Sequence, residues 1–542
     1  MKDAEHRNHP GSSLPIPFSS FLEKIVSGFL LDRGAISILG AAFIVILVTF
    51  LPYLTQPLFS IDDYYLYQVY DINIQTMWYN FYSTGRPVEG LFAQLFYYLN
   101  IQPLVRPLGP LLFLAAVTFF CLQASRTLGV TRLGRCATFG FVVIAATTPF
   151  LAEVLQFSAI PAYSSAAVLF LALGLVFATR FAEAGSFSRL ALSSLFYAAS
   201  LATYQIFYTM VMEIVLLSLL IPLIAAREES SEGPGQSTAR GFKLLVPYAA
   251  GFVLYFAVLK VCYALSPPAM DYAEIGLGQA LSSLTSYQYW GSVYSKLHYF
   301  TMQNNSFNSV LVNAGLVGMV VIAVLSSILL SITEKRERWL WVAACSLAGT
   351  ALYVVVGHLV SIGFAFFRLG QIGSRTFVAF GVYQAGLMLC VVLLLRRREK
   401  LLRGGATALV VVFLAVVVSN MGRSGRMAVD QYRLNTVDRS LATRIVARLE
   451  ADEHFSSTAK VVLWGTAPVG AVWRTWIGDY NVSALQHYSR VFVLNEVSGC
   501  TFGNPRPQDV ERARQLSLGM EAWPRPGAVR FVEDMFIVKL SN

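Results

Sequence analysis

Two adjacent carboxylates, Asp62 and Asp63, stand in the stretch FSIDDYYLYQ that runs from Phe59 to Gln68. Side chains of this type and spacing have three uses. One acid can take a proton from a hydroxyl, the two together can hold a divalent cation, or one can cap a helix. Ser60 precedes Asp63 by three residues, the spacing of a capping box, in which the hydroxyl accepts from the Asp63 N–H and the carboxylate accepts from the Ser60 N–H. That arrangement accounts for Asp63 and leaves Asp62 over for chemistry. A hard cation such as Mg or Mn needs about six oxygens, so the pair alone would be only part of its shell. No His and Cys spacing in the chain resembles a zinc site.

A carboxylate next to a low-dielectric region is a stronger base than one in water, because desolvation disfavours its charged form. A guanidinium close by would bind a phosphate as a planar fork. Arg86, Arg368 and Arg375 are the candidates for that second role. Glu89, Glu153, Gln156, Tyr204, Gln205 and His298 are the other polar side chains that the hydropathy pattern sets near the same membrane face. Glu213 lies about two turns deeper and can serve either helix packing or a cavity.

These residues need elements to hold them. The chain is 56% hydrophobic and 13% charged, against about 25% charged in an ordinary soluble protein. It therefore reads as an α-helical polytopic membrane protein. Eleven apolar stretches are of membrane-crossing length: 35–55, 107–125, 136–152, 160–180, 188–208, 210–226, 243–264, 307–331, 338–359, 374–395 and 402–420. The fifth and sixth nearly touch, and a tight turn near Tyr204–Gln205 divides them. With the N-terminus inside, the inner loops and tail hold 20 Lys and Arg and the outer loops hold 5. Short inner loops are the ones enriched in basic residues, so the net charge of +10 expresses topology and not nucleic-acid binding. The polar start, residues 1–34, is a cytoplasmic tail and does not read as a cleaved leader.

The acidic pair then falls in the first outer segment, 56–106, whose aromatic run beyond Tyr64 suits the headgroup level. A second outer segment spans 265–306, within an overall membrane region of 35–420. From 421 to 542 the chain is polar and mixed, and reads as a small extracytoplasmic α/β domain. In it TVDRSLATRIVARLE predicts an amphipathic helix capped near Thr436. KVVLW (460–464) and RVFVLN (490–495) predict strands, and VRFV with MFIVKL predicts a terminal hairpin. Five of the six cysteines lie in or beside apolar stretches, Cys500 stands alone in the C-terminal part, and they make no disulfide framework.

Asp62, Asp63 and Tyr64, then Trp78, then Gly85-Arg86-Pro87, all after the first span, resemble the GtrII-type glucosyltransferases, a group of the GT-C integral membrane glycosyltransferases. Leu66, Tyr67 and Gln68 stand where many members carry a basic residue. The resemblance implies a GT-C-like fold and a polyprenyl-phosphate sugar as donor, with inversion at the anomeric carbon. It implies a hydroxyl of a surface polysaccharide, O-antigen or lipid-linked glycan as acceptor, in a bacterial inner membrane. An aspartate of the first outer loop would activate that hydroxyl, which brings the role to Asp62 or Asp63. Some relatives need a divalent cation. Membrane lipids and other glycan-pathway membrane proteins are the expected company. A transporter or flippase for a lipid-linked sugar is the rival reading, and the absence of an internal repeat speaks against it.

Overall fold

In hydrocarbon a backbone must satisfy its own polar groups, so each long apolar stretch becomes a helix. The structure, a computed structural model, describes residues 33–56, 58–60, 63, 81, 85–99, 101–157, 160–225, 234–265, 286–299, 303, 307, 309–333, 339–361, 374–396, 399–467, 483–486 and 489–541. The aromatic run 64–80 and nearly all of the tail 1–34 lie outside these.

The helices in chain order are α1 (Arg33–Thr55), α2 (Pro87–Tyr98), α3 (Gln102–Thr127), α4 (Arg135–Ala146), α5 (Ala152–Leu155), α6 (Ile160–Ala184), α7 (Phe187–Thr203), α8 (Tyr208–Ile224) and α9 (Pro234–Leu265). They continue with α10 (Tyr287–Leu297), α11 (Val310–Thr333) and α12 (Trp339–Leu352), which runs through a π-helical turn, Tyr353–Gly357, into α13 (His358–Val360). Last in the bundle are α14 (Phe380–Arg396) and the long α15 (Glu399–Glu450).

Among the described residues eight helices are long and apolar enough to cross a membrane, or nine if α4 and the bent segment Pro149–Leu155 form one span. The other two of the eleven expected spans correspond to α7, with 17 residues, and to the apolar part of α11, Val310–Ser326. α11 as a whole runs 24 residues. The division near Tyr204 holds. Tyr204 is extended (φ −155°) between α7 and α8, so the helical hydrogen-bond ladder breaks there and the chain reverses.

Small residues bring the helices together, as expected where apolar burial against lipid supplies no driving force. Gly174 of α6 and Gly251 of α9 both lie against Tyr197 of α7. Gly381 of α14 lies against the backbone of α4, at the Ala145 carbonyl. Phe150 stacks on Phe307 (4.9 Å) and on Phe377 (5.3 Å). That stack seats the corner before α5 on the turn Ser374–Phe377 that opens α14.

The expected helix cap at Thr436 is not seen, and position 421 lies inside a helix. α15 runs unbroken for 52 residues, a length of about 78 Å at 1.5 Å per residue, more than twice the thickness of a bilayer core. The Thr436 hydroxyl donates back to the Tyr432 carbonyl, 2.8 Å away, as a mid-helix threonine does. Gly422 and Gly425 do not stop the helix.

The far half of α15 forms a core with the C-terminal strands. β1 (Lys460–Trp464) pairs parallel with β3 (Met535–Lys539), and β3 pairs antiparallel with β2 (Val529–Val532), in the order β1-β3-β2. Between β1 and β2 come α16 (Arg490–Ser498) and α17 (Pro507–Leu516). Strand alternation sorts β3. Phe536 and Val538 face Leu441, Ile445 and Leu449 of α15, while Met535 and Ile537 face Ala513 and Met520. The terminal hairpin is as expected, with Glu533 at φ 59° in its two-residue turn. RVFVLN is corrected from strand to helix. Val491, Phe492, Val493 and Leu494 are all buried, so the run is apolar on every side and periodicity could not separate the two states.

Substituting Gly381→Ala should push α14 away from α4, since the added carbon would overlap the Ala145 carbonyl oxygen. We expect a loss of about 1–3 kcal/mol, read as a lower melting temperature of the detergent-solubilised protein. An unchanged melting temperature would overturn the close approach of these two helices.

Candidate active site

The Gly85-Arg86-Pro87 corner is built by backbone requirements. Gly85 has φ +78°, a conformation that disfavours L side chains, and an added Cβ would fall 2.7 Å from the Tyr255 hydroxyl. Its carbonyl accepts from Gln205 Nε2 (2.9 Å) and from the Tyr255 hydroxyl (2.9 Å). Pro87 then opens α2, where a missing N–H costs nothing. The corner is thereby fixed to the break between α7 and α8 and to α9.

The same corner aims Arg86. Its Nη1 donates to Glu89 Oε2 at 3.0 Å, and its guanidinium lies over the rings of Phe81 (5.6 Å) and Tyr204 (5.5 Å). From the other side, Arg375 Nη1 reaches the Tyr204 hydroxyl at 3.5 Å. Five residues that the sequence marks separately, Arg86, Glu89, Tyr204, Gln205 and Arg375, thus meet at one end of the bundle. Tyr255 joins them without having been foreseen, because one tyrosine in a long apolar helix carries no signal of its own.

Glu89 is completely buried, on α2, which is not one of the membrane-crossing helices. Burial pushes its carboxyl up to about 7, against the pull of Arg86 and then of Arg375. Burial wins because a carboxylate loses more hydration there than one half-shielded guanidinium returns.

A second buried polar group lies beneath the Phe150–Phe377 stack. Glu153 and Gln156, both buried, flank Tyr53 of α1, and Asp430 of α15 is close enough to act on the same hydroxyl. Asp430 and Tyr53 were not singled out from the sequence. Glu213 of α8 is buried against Tyr353 of the π-helical turn. A buried acid inside a bundle is costly to keep and marks a place of function more often than a surface one does.

Ser60 and Asp63 form the expected capping box. The Ser60 N–H donates to Asp63 Oδ2 (2.7 Å), and the Asp63 N–H donates to Ser60 Oγ (3.3 Å). Asp63 is buried and one of its oxygens is engaged by Ser60 through both N–H and hydroxyl. That environment suits a cap better than a share in a cation site. Asp62 and Arg368 lie outside the described residues. His298 is exposed, its ring stacked on Tyr294 at 5.9 Å. Among the described residues no contact ties it to the Arg86 group. No cluster of three or more His, Cys, Asp or Glu suited to a metal occurs among the described residues.

With this geometry in place, the chain can be set against known proteins. The family model described as Glucosyl transferase GtrII matches residues 51–392. The matched region takes in the capping box, the Arg86 corner, Glu153 and Arg375, and stops before α15. No curated protein matches the chain.

The raised carboxyl of Glu89 has a consequence for stability. A group whose folded pKa lies above its unfolded value, here about 7 against 4.5, stabilises fully below the unfolded value. The contribution fades as pH rises through the folded one. The stability of the native protein should therefore fall between about pH 4.5 and pH 7, by an amount on the order of 3 kcal/mol, read as a lower melting temperature. In Glu89→Gln that slope should vanish. A thermal-melt series that shows the same slope in both proteins would exclude Glu89 as its source.

Proposed function

We propose that this chain, which belongs to the GtrII glucosyltransferase family, moves a hexose from a polyprenyl-phosphate carrier to a hydroxyl of a surface polysaccharide or lipid-linked glycan. Family membership makes it a membrane glycosyltransferase of the GT-C type. Donor, acceptor and side of the membrane belong to the proposal. The observation that carries it is the meeting of Arg86 and Arg375 around Tyr204, at the corner that comes after the acidic pair. Two guanidiniums on separate segments, one of them held by a carboxyl that can take a proton, make a mouth for a phosphate whose lipid tail stays in the bilayer.

In this reading the acceptor oxygen attacks the anomeric carbon, forming the new glycosidic bond as the bond from that carbon to the phosphate oxygen breaks. The acceptor proton passes to an aspartate of the first loop. Asp62 is the assigned base, since Asp63 is engaged as a cap. The departing polyprenyl phosphate keeps the bonding electron pair, and Arg86 and Arg375 stabilise its charge. Attack opposite the leaving group inverts the anomeric centre. A divalent ion, Mg or Mn, would assist at the phosphate if Asp62 helps to hold one.

The deciding experiment presents purified protein with a panel of polyprenyl-phosphate hexoses, with Mg, with Mn and with chelator, and follows release of polyprenyl phosphate. Release that depends on acceptor is expected. Movement of the intact lipid-linked sugar across a vesicle membrane, with no bond cleaved, would replace this reading with transport. Asp62→Asn should lower kcat by about 100- to 10,000-fold, the usual weight of a general base. Asp63→Ala should chiefly cost about 1 kcal/mol of stability, as loss of a cap does. The reverse pattern would exchange the two roles.

A further inference from the structure

Phe59, the residue before the capping box, is held by α15 through nearly every group it has. Its N–H donates to Asn435 Oδ1 (3.0 Å), and its carbonyl accepts from Asn435 Nδ2 (2.9 Å) and from Gln431 Nε2 (2.6 Å). The two carbonyl lone pairs and the one N–H are thereby taken. Its ring packs on the core of the C-terminal region, and the Arg439 guanidinium lies over it at 5.6 Å. Gln431 and Asn435 are themselves buried, one helical turn apart on a single face of α15.

We propose that Gln431 and Asn435 are positioning residues: by gripping the Phe59 peptide, α15 sets where the acidic pair stands at the reacting centre. The proposal rests on the glycosyltransferase reading above and adds to it a part of the chain beyond the family match, which ends at 392. The chain from Phe59 to Asp62 is three residues long, so Asp62 can stray no further than about 10 Å from the clamp. Ser60 and Asp63 are joined directly by the capping-box bonds, which ties the clamp to the second acid of the pair. Leucine at either position would leave the Phe59 peptide without one of these partners. Gln431 gives its donor to the Phe59 carbonyl while its own Oε1 is buried with no hydrogen-bond partner among the described residues.

The test compares the full-length native protein with Gln431→Ala/Asn435→Ala and with Asn435→Asp. In the double variant, amide exchange at 58–60 should speed up by about tenfold or more, while the bundle and the C-terminal core exchange as before. The value of kcat should drop by about tenfold or more, with donor KM within about twofold, because the loss lies in placing the base and not in binding the donor. Asn435→Asp keeps the acceptor for the Phe59 N–H but turns a second acceptor toward its carbonyl. It should be impaired at neutral pH and regain turnover as pH falls and the carboxyl gains a proton to donate. A role in packing alone would give no such recovery. Exchange at 58–60 that does not change overturns the clamp, and faster exchange with kcat unaltered overturns its role in positioning. Turnover by the native protein tests the glycosyltransferase reading separately, and the exchange measurement reads the clamp even if no turnover is found.

Discussion

A polar group buried in a low-dielectric bundle has to find its partner inside the protein, and the arrangement of this chain obeys that constraint. Helices satisfy the backbone. Several polar contacts between distant segments lie where helices break. The Gly85 carbonyl is met by Gln205 and Tyr255 at the reversal between α7 and α8. The Tyr204 hydroxyl is met by Arg375 at the turn that opens α14. Phe59, which has just left α1, is met by Gln431 and Asn435. Each contact joins segments far apart in sequence, and together they fix one end of the bundle.

α15 extends the constraint beyond the bundle. Asn420, Ser424, Gln431, Asn435 and Asp438 are all buried, and their spacing of three, four and seven residues keeps them on one side of the helix. Along that side they meet successive parts of the protein. Asn420 reaches Thr147 in the bundle (3.5 Å), Asn435 takes the loop, and Asp438 accepts from Ser483 Oγ (2.6 Å) and the Ala484 N–H (2.8 Å) in the C-terminal region. A single rigid rod thus carries contacts to the membrane helices, to the loop with the acids and to the sheet. A shift in the C-terminal region would reach the loop through that rod, with no flexible linker to absorb it.

The legibility of the sequence obeys the same physics. Long apolar runs announce helices because length and hydropathy are local properties. The Ser60–Asp63 spacing announces its capping box because a box needs only four residues. The division at Tyr204 is visible because two spans cannot share one apolar stretch of that length. Less visible are features that depend on what packs around a residue. RVFVLN is a helix whose burial on all sides erases its periodicity. Tyr255, Tyr53 and Asp430 matter through neighbours hundreds of residues away in some cases, which no local pattern records. The polar stripe of α15 is legible in principle, at helical spacing, but an expected break near 421 divides it between two supposed elements.

The charge arrangement at the Arg86 corner bears on what can bind there. Glu89 holds Arg86 at 3.0 Å, so in the proposed reading an arriving phosphate would compete with it for the same guanidinium. A buried carboxyl that titrates near neutrality meets that competition by taking a proton. The proton removes a negative charge that would repel the phosphate and frees the fork of Arg86 to face it. When the phosphate left, the carboxyl would release its proton and take the guanidinium back. A carboxylate of ordinary pKa would hold Arg86 permanently, and a neutral side chain would leave it bare in a buried site. Burial of Glu89 on a short helix, costly as it is, would in that reading let the corner be neutral when empty and positive when an anion enters.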